Sequence, residues 1–263
     1  MTTAGEITED RLHRYARHII LDEVGEEGQL RLLASRVLVV GAGGLGSPVL
    51  MYLAAAGVGT LGVIDHDTVD ITNLQRQIAH TTPRIGQNKT DSAAQTIAAL
   101  NPEIKVERHT EKLTAKNARA LIRQYDLVAD GSDNFTTRYL VNDACYFEKK
   151  PLVTAAMLRF EGQATTIKAY DGTHPCYRCM FPVPPPAEMA PRCSQAGIFG
   201  ALAGVVGTMQ ATEVLKELLG LGTGLTGRLL LYDAMDVTLR TIKVPRDPAC
   251  ALCGDHPTIA DIG

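Results

Sequence analysis

The stretch VLVVGAGGLGSP, residues 37–48, decides the fold. Apolar strand-forming residues run into a glycine-rich turn, residues 41–46, which fits the pattern G-x-G-x-x-G and opens a helical pattern. In such a strand–turn–helix unit, backbone N–H groups and the helix dipole face phosphate oxygens. The stretch therefore predicts a phosphate-binding loop. The loop alone suits NAD, FAD, S-adenosylmethionine or ATP, and a tight turn that binds nothing has the same pattern.

The composition is that of an ordinary globular protein. The chain has 263 residues, of which 45% are hydrophobic and 21% charged, and its net charge is −3. This charge gives no electrostatic reason to expect nucleic acid or an anionic membrane as a partner. The most apolar run, residues 196–209, is too short to span a bilayer. With its polar N-terminus, the chain is predicted to be cytoplasmic.

Strands and helices alternate in the first part of the chain, after two short helices between Glu9 and about Ala34. The predicted strands are 36–41, 60–65, 104–109, 126–131 and 151–156, and the predicted helices are 45–57, 88–100, 114–124 and 135–148. This alternation is typical of an α/β protein with a Rossmann-like, doubly wound parallel sheet.

The pattern changes after residue 157. Segments 159–170, 228–236 and 238–244 read as antiparallel strands, and one long helix is predicted over about 195–219, with a proline-rich loop at 182–191. We expect one domain over residues 1–263. Residues 1–157 would form a nucleotide-binding half, and residues 158–263 a second half that completes the site without an independent core.

Polar and charged residues follow the second strand. That strand ends at Asp65, placed to accept hydrogen bonds from a ribose. Asn73, Arg76 and Gln77 come next, and Lys89 lies near the start of the following helix. Two cations at this edge suit a triphosphate better than a pyrophosphate diester. The alternative is that Arg76 and Lys89 are ordinary solvated surface residues.

Two carboxylates follow the fourth strand. Asp130 and Asp133 are predicted at the same carboxyl edge as the glycine loop. A carboxylate there is a natural ligand for Mg²⁺ shared with phosphate oxygens. Asp133 or Asn134 would alternatively cap the next helix.

Four cysteines form two CxxC pairs. Cys176 and Cys179 lie in CYRC, and Cys250 and Cys253 lie in CALC. Two such pairs predict a closed, structural zinc site with four cysteine ligands, with a redox role as the alternative. Cys145 is predicted to fill the core.

These motifs together resemble one family. VGAGGLGSP, Asp65, NLQRQ, GQNK, DGSDN, CYRC, GTMQATEVLKEL, LYDAMD and CALC occur in order over nearly the whole chain. The set is similar to the ThiF/MoeB/HesA family, bacterial relatives of ubiquitin-activating enzymes. The resemblance implies ATP-dependent adenylation of the C-terminal glycine of a small ubiquitin-like sulfur carrier that ends in Gly-Gly, with release of pyrophosphate. The members nearest in pattern act in molybdopterin biosynthesis, and those of the thiamine pathway come second.

The resemblance also implies roles for residues. Gly41, Gly43, Gly44 and Gly46 would cradle the phosphates and Asp65 would hold the ribose. Asn73, Arg76 and Lys89 would contact the phosphates, with Gln77 among the nucleotide contacts and Asp133 as the Mg²⁺ ligand. Arg17, in RYARHIIL, matches an arginine that reaches ATP from the partner subunit, which implies a homodimer with two shared sites.

Cys193 stands where some relatives carry a loop cysteine that forms a thioester or acyl-disulfide with the carrier. Adenylation itself needs no thiol, so a chemical role for Cys193 is left open. The chain ends ten residues after Cys253. We therefore expect a separate sulfur donor, such as a cysteine desulfurase.

Three other functions stay open at this stage. They are an NAD-dependent oxidoreductase, a zinc-containing adaptor that binds a carrier without activating it, and an enzyme that activates a carboxylate on a modified tRNA base. The cations and Asp133 disfavour the first two, and the near-neutral charge disfavours the third.

Overall fold

One sheet of eight strands runs through the part of the chain that the computed structural model describes, residues 7–184 and 197–262. The strands are β1 (Arg36–Val40), β2 (Thr60–Ile64), β3 (Lys105–His109), β4 (Leu127–Asp130), β5 (Leu152–Leu158), β6 (Glu161–Ile167), β7 (Arg228–Asp233) and β8 (Thr238–Lys243). Their order across the sheet is β3-β2-β1-β4-β5-β6-β7-β8.

Helices cover both faces of the sheet. They are α1 (Glu9–Ile19), α2 (Gly25–Ala34), α3 (Gly46–Ala56), α4 (Lys89–Leu100), α5 (Ala115–Ile122), α6 (Phe135–Glu148), α7 (Tyr177–Met180) and α8 (Gly200–Leu219). Short 3-10 turns lie at Ile71–Asn73, Thr82–Arg84 and Ala169–Asp171. One core cluster joins the sheet to α2, α3, α4 and α8, and a second joins it to α5, α6 and the CxxC segments. No helix among the described residues is long and apolar enough to cross a membrane.

The strand order reverses beside β1. β1 pairs in parallel with β2 on one side and with β4 on the other. The chain therefore leaves the carboxyl ends of β1 and β4 towards opposite faces, and the loops after these two strands border a crevice. In parallel α/β sheets, ligands bind in the crevice at this reversal point.

The predicted change from parallel to antiparallel strands is confirmed. β5 pairs with β4 in parallel and with β6 in antiparallel register, and β7 and β8 continue antiparallel. The sheet continues without interruption past residue 157, which lies inside β5. β8 is the edge strand at this end of the sheet, opposite the edge strand β3, and all six of its residues are exposed.

The long helix differs from its predicted bounds. Within the described residues it begins at Gly200, and Gly197 precedes it with a φ of +78°. Gly197 lies inside the predicted helix bounds but outside the observed helix. Gly207 does meet another backbone, since a Cβ there would lie 2.8 Å from the carbonyl oxygen of Leu45. Part of the proline-rich loop, residues 185–191, lies outside the described residues.

Candidate active site

The glycine loop follows β1 as predicted. Gly41 has a φ of +90°, which favours glycine, and its N–H donates to the carbonyl of Ile64 at 2.9 Å. A Cβ on Gly131, in the loop after β4, would lie 3.1 Å from the nitrogen of Gly46. The two loops on either side of the crevice therefore pack against each other.

Gly46 is expected to tolerate no side chain. A Cβ at this position would overlap the carbonyl oxygen of Gly41, which is backbone and cannot move aside cheaply. We expect Gly46→Ala to lower the free energy of unfolding by roughly 1–3 kcal/mol. Gly204→Ala is the matched control, since a Cβ there meets nothing within 4 Å and alanine favours the helix. Urea unfolding of both variants measures the difference, and equal stabilities would contradict the clash.

A cavity of about 1340 Å³ opens at the carboxyl edge of the sheet. It begins at the glycine loop, passes Met157 and reaches β7 and β8. Eight of the residues predicted from the sequence line it, namely Gly41, Gly43, Gly44, Asp65, Arg76, Gln77, Lys89 and Asp133. Gly46, Asn73 and Arg17 do not line it, and Cys193 lies outside the described residues.

Asp65 joins the glycine loop to the end of β2. One carboxylate oxygen accepts the N–H of Ala42 at 2.8 Å, and the other accepts the N–H of Asp67 at 2.9 Å. Each oxygen has a further lone pair, so the carboxylate can also accept from a ligand hydroxyl. The backbone bonds fix its orientation at the mouth of the crevice.

Two cations reach the cavity from different elements. Arg76 is half-buried and donates to the carbonyl of Thr72 at 3.0 Å and to the side chain of Gln75 at 3.1 Å. The ammonium of Lys89 lies 3.0 Å from a carboxylate oxygen of Asp67, and the Lys89 side chain is only 7% exposed. A buried cation with one solvent-exposed partner is well placed to bind a second anion.

Gln77 presents an unsatisfied group. Its side chain is buried and lines the cavity next to Gly43. Its carbonyl oxygen has no hydrogen-bond partner among the described residues. An unpaired buried polar atom is costly, so this oxygen is an acceptor that a hydrogen-bond donor at the site would satisfy.

The structure separates the roles of the two carboxylates after β4. Asp130 is buried, and its oxygens accept from the N–H of Ser132 and the hydroxyl of Thr154, both at 3.0 Å. Asp133 is exposed at the cavity, and its contact is a long one of 3.5 Å from the amide of Asn134. Within the described part of the chain, Asp133 therefore keeps carboxylate oxygens available, of the kind that Mg²⁺ prefers, whereas Asp130 is bonded to the protein.

Two predicted residues face elsewhere. The amide oxygen of Asn73 accepts the N–H of Asp70 at 3.3 Å, which forms a capping box for the 3-10 turn. Arg17 lies exposed in the last turn of α1. The side-chain amide of Asn101, at the far end of α4, donates a hydrogen bond to the hydroxyl of Tyr15 on the same helix as Arg17. Helix α1 therefore lies at the opposite edge of the sheet from the cavity.

Some residues of the site were not singled out in the sequence. Buried Arg138 donates to the carbonyl of Ala155 at 2.7 Å and also to that of Ser132, and so fixes the loop after β4. It lies within DGSDNFTTR, but the sequence pattern does not show which way a helical arginine points. Leu113, Phe135 and Leu140 give one end of the cavity an apolar wall.

The four predicted cysteine ligands come together. Their sulfurs all lie within 4.8 Å of one another, with Cys176 and Cys250 at 3.5 Å and Cys179 and Cys253 at 3.4 Å. Tetrahedral zinc with bonds of about 2.3 Å places sulfurs about 3.8 Å apart, so the cluster fits this ion. Hydrogen bonds from Cys176 and Cys253 lower the pKa of the Cys179 thiol, so Cys179 is the member of the cluster that most readily becomes a thiolate.

Cys145 packs as predicted. It is buried in the cluster that joins α6 to the sheet, and burial raises the pKa of its thiol well above the usual value. A thiol that stays protonated is a poor nucleophile, so Cys145 is a packing residue.

Comparison with known proteins places the chain among adenylating enzymes. The chain is 50% identical over 254 residues to a sulfur carrier protein adenylyltransferase from Thermus thermophilus, covering 95% of this chain and 94% of that one. It is 52% identical over 245 residues to the SAMP-activating enzyme E1 of Haloferax volcanii, covering 93% and 90%. The bovine adenylyltransferase and sulfurtransferase MOCS3 is 49% identical over 257 residues, which cover 97% of this chain but 56% of that longer protein.

Solved structures show the same fold. A crystal structure of MccB from E. coli with ATP has a TM-score of 0.80 at 23% identity, covering 92% of this chain and 74% of that one. A complex of MccB with AMPCPP and MccA has a TM-score of 0.81 at 22% identity, covering 95% and 76%. The ThiF family model matches residues 15–252. With the glycine loop, the crevice and the four-cysteine cluster in place, the chain belongs to the ThiF family.

Proposed function

We propose that this adenylyltransferase transfers AMP from ATP to the C-terminal Gly-Gly carboxylate of a small ubiquitin-like sulfur carrier protein. The cavity is the observation that carries the proposal. Its volume of about 1340 Å³ exceeds the roughly 300–1,000 Å³ of a site for one small ligand. It therefore has room for a nucleotide at the glycine loop and for a peptide tail beyond Met157.

The nucleotide fits with its phosphates at the glycine loop. We place the ribose on Asp65 and the adenine against the apolar wall formed by Leu113, Phe135 and Leu140. Arg76 and Lys89 then lie on the phosphate side of the site.

The chemistry needs alignment and charge neutralisation. The attacking carboxylate is already ionised at pH 7, so no general base is required. The cations stabilise the negative charge that builds up on the leaving pyrophosphate. Asp133 is the residue that would hold Mg²⁺, an ion that neutralises phosphate oxygens and orients them when bound. The four-cysteine cluster would hold a structural zinc ion.

The second half of the chain supplies the other side of the cavity. Gly162, Gln163, Tyr232 and Arg240 line it there, and they come from β6, β7 and β8. We assign the carrier to residues 158–263 and the nucleotide to residues 1–157, within one unit over 1–263. The exposed strand β8 borders this end and gives the body of the carrier a surface to contact.

Arg17 enters the proposal through a second copy of the chain. Its own cavity is out of reach, because α1 is anchored at the opposite edge of the sheet. A homodimer that brings α1 of one chain to the cavity of the other would make two shared sites.

The identity of the sulfur carrier sets the biosynthetic pathway in which the enzyme acts. We propose a carrier of molybdopterin biosynthesis, with the thiamine-pathway carrier as the alternative and a separate protein as sulfur donor. The cytoplasmic location stays a prediction, and a chemical role for Cys193 stays open.

Exchange of labelled pyrophosphate into ATP tests the reaction and the carrier together. We expect exchange with the molybdopterin-type carrier and none without a carrier. Removing the terminal glycine should abolish exchange, because the carboxylate then stops one residue, about 3.5 Å, short of the phosphate.

The same assay separates the alternatives. Exchange with the thiamine-type carrier alone would move the protein to that pathway, and exchange with both would mean a shared activator. If folded protein shows no exchange with any of the carriers, the proposed reaction is contradicted.

A further inference from the structure

His80 is a buried residue that neither the sequence motifs nor the proposed chemistry explains. Its side chain is 5% exposed and lies below the glycine loop. Its Nε2 is 2.8 Å from the carbonyl oxygen of Ala42, and its Nδ1 is 2.9 Å from the hydroxyl of Ser92.

The partners of the ring define its protonation. A carbonyl oxygen only accepts, so Nε2 carries the proton and donates to Ala42. Nδ1 then accepts from the hydroxyl of Ser92. Burial lowers the pKa of His80, and the positive charges of Lys89 and Arg84 act in the same direction, so the ring is neutral.

The peptide units on both sides of Ala42 are held. Its N–H donates to Asp65 at 2.8 Å, and its carbonyl accepts from His80. In a trans peptide the C=O and the next N–H point in opposite directions. A carbonyl fixed towards His80 therefore fixes the N–H of Gly43 to point away from His80.

The N–H of Gly43 is free for a ligand. Gly43 lines the cavity, and neither its N–H nor that of Gly44 has an acceptor among the described residues. The carbonyl of Gly43 already accepts the N–H of Ser47 at 2.9 Å, at the start of α3. The Ala42–Gly43 peptide is thus the link between the buried imidazole and the phosphate-binding edge.

We propose that His80 is a positioning residue for the nucleotide. Its Nε2–H holds the Ala42 carbonyl and thereby aims the Gly43 N–H at a phosphate oxygen, without touching the ligand. This inference rests on the proposed binding of ATP at the glycine loop. It predicts that His80 acts on nucleotide affinity and leaves the affinity for the carrier unchanged.

Two amide substitutions separate positioning from packing. The side-chain nitrogen of glutamine reaches about as far as Nε2, whereas that of asparagine reaches only about as far as Nδ1. We expect His80→Asn to raise the Kd for a non-hydrolysable ATP analogue about tenfold, as for loss of one buried hydrogen bond. The KM for ATP should rise with it while the KM for the carrier stays the same, and His80→Gln should restore most of the affinity.

Thr96→Val is the control for general destabilisation. Its hydroxyl donates to the carbonyl of Ala79 at 2.6 Å, so the substitution loosens the same segment without removing the ring. We expect a lower Tm with an unchanged Kd. If Thr96→Val weakens nucleotide binding as much as His80→Asn, or if glutamine and asparagine behave alike, the positioning role is wrong.

Measurements on the unaltered protein complete the test. ¹⁵N NMR should show the His80 proton on Nε2, and the Gly43 amide should shift when the analogue binds. A proton on Nδ1 would overturn the inference even if the variants fail to fold. Absence of analogue binding by the unaltered protein would instead overturn the nucleotide site, and with it the proposed function.

Discussion

Two inactive variants, Arg17→Ala and Asp133→Asn, are expected to form an active enzyme when one chain of each is joined in a dimer. Alone, each should lose about 10²–10³ in the rate of pyrophosphate exchange, because Arg17→Ala removes a positive charge at the phosphates and Asp133→Asn removes the carboxylate that would hold Mg²⁺. In the mixed dimer one site has both residues intact, and the other lacks both. We expect half the rate of the unaltered dimer.

The reason lies in the position of α1. Its Tyr15 contacts Gly57 at the end of α3 and Asn101 at the end of α4. Since α3 has 11 residues, Gly57 lies about 16 Å from the glycine loop along the helix axis. Arg17 is therefore remote from the cavity of its own chain, and only another copy can bring it there.

A second mixed dimer, with both substitutions in the same chain, is the control and should be inactive if the sites are shared. One chain carries both substitutions and its partner carries neither, with separate affinity tags to purify the mixed species. If the sites are shared, each site then lacks one residue and the dimer should be inactive. Half activity in this dimer, with none in the first, would show that each chain is complete by itself and would contradict the shared site.

Local sequence signals were sufficient for much of the fold. The helix predicted at 135–148 is found at Phe135–Glu148, because Asn134 caps its first turn at 2.9 Å and Lys149 ends it with a φ of +53°. The start of α8 is different. Apolar residues continue through Phe199, which is extended and stacks near Phe160 at 5.6 Å between ring centroids. That tertiary contact leaves no periodic signal.

The sequence was sufficient to predict the site residues that follow the carboxyl ends of parallel strands. The glycine loop, Asp65 and Asp133 each come directly after a parallel strand, so topology alone brings them to one edge. Direction of side chains was not predictable. Asp130 and Asp133 are three residues apart, yet one is buried and bonded while the other is exposed. The role of His80 was also not predictable, because its contact with the carbonyl of Ala42 in the glycine loop is visible only in the structure.

Removal of zinc is expected to cause the largest loss of stability. The apparent free energy of zinc binding at a four-cysteine site is on the order of 10 kcal/mol, comparable with the net stability of a whole domain. We expect Cys250→Ser, or treatment with a strong chelator, to cost about 5 kcal/mol or more. At roughly 2–4 °C per kcal/mol for a chain of this size, Tm should fall by at least about 10 °C.

The cost is large because the cluster joins distant parts of the chain. Leu252, between two of the ligands, is fully buried in the core cluster under α5 and α6. On the other side, the N–H of Tyr177 donates to Asn142 at 2.8 Å, and Arg178 contacts Asp143 at 2.6 Å and 2.9 Å. Both acceptors lie on α6, so loss of the metal releases the C-terminal segment and loosens the helix that follows Asp133.

Metal analysis and calorimetry on the same samples check this expectation. The unaltered protein should contain one zinc per chain, and Cys250→Ser should contain none. Cys145→Ala is the control, because Cys145 is equally buried but lies outside the four-sulfur cluster. It should keep its zinc and lose about 1–2 kcal/mol through the small cavity left behind. Protein that purifies without metal and melts at the same temperature with and without chelator would show that the four thiols stabilise the fold by packing alone.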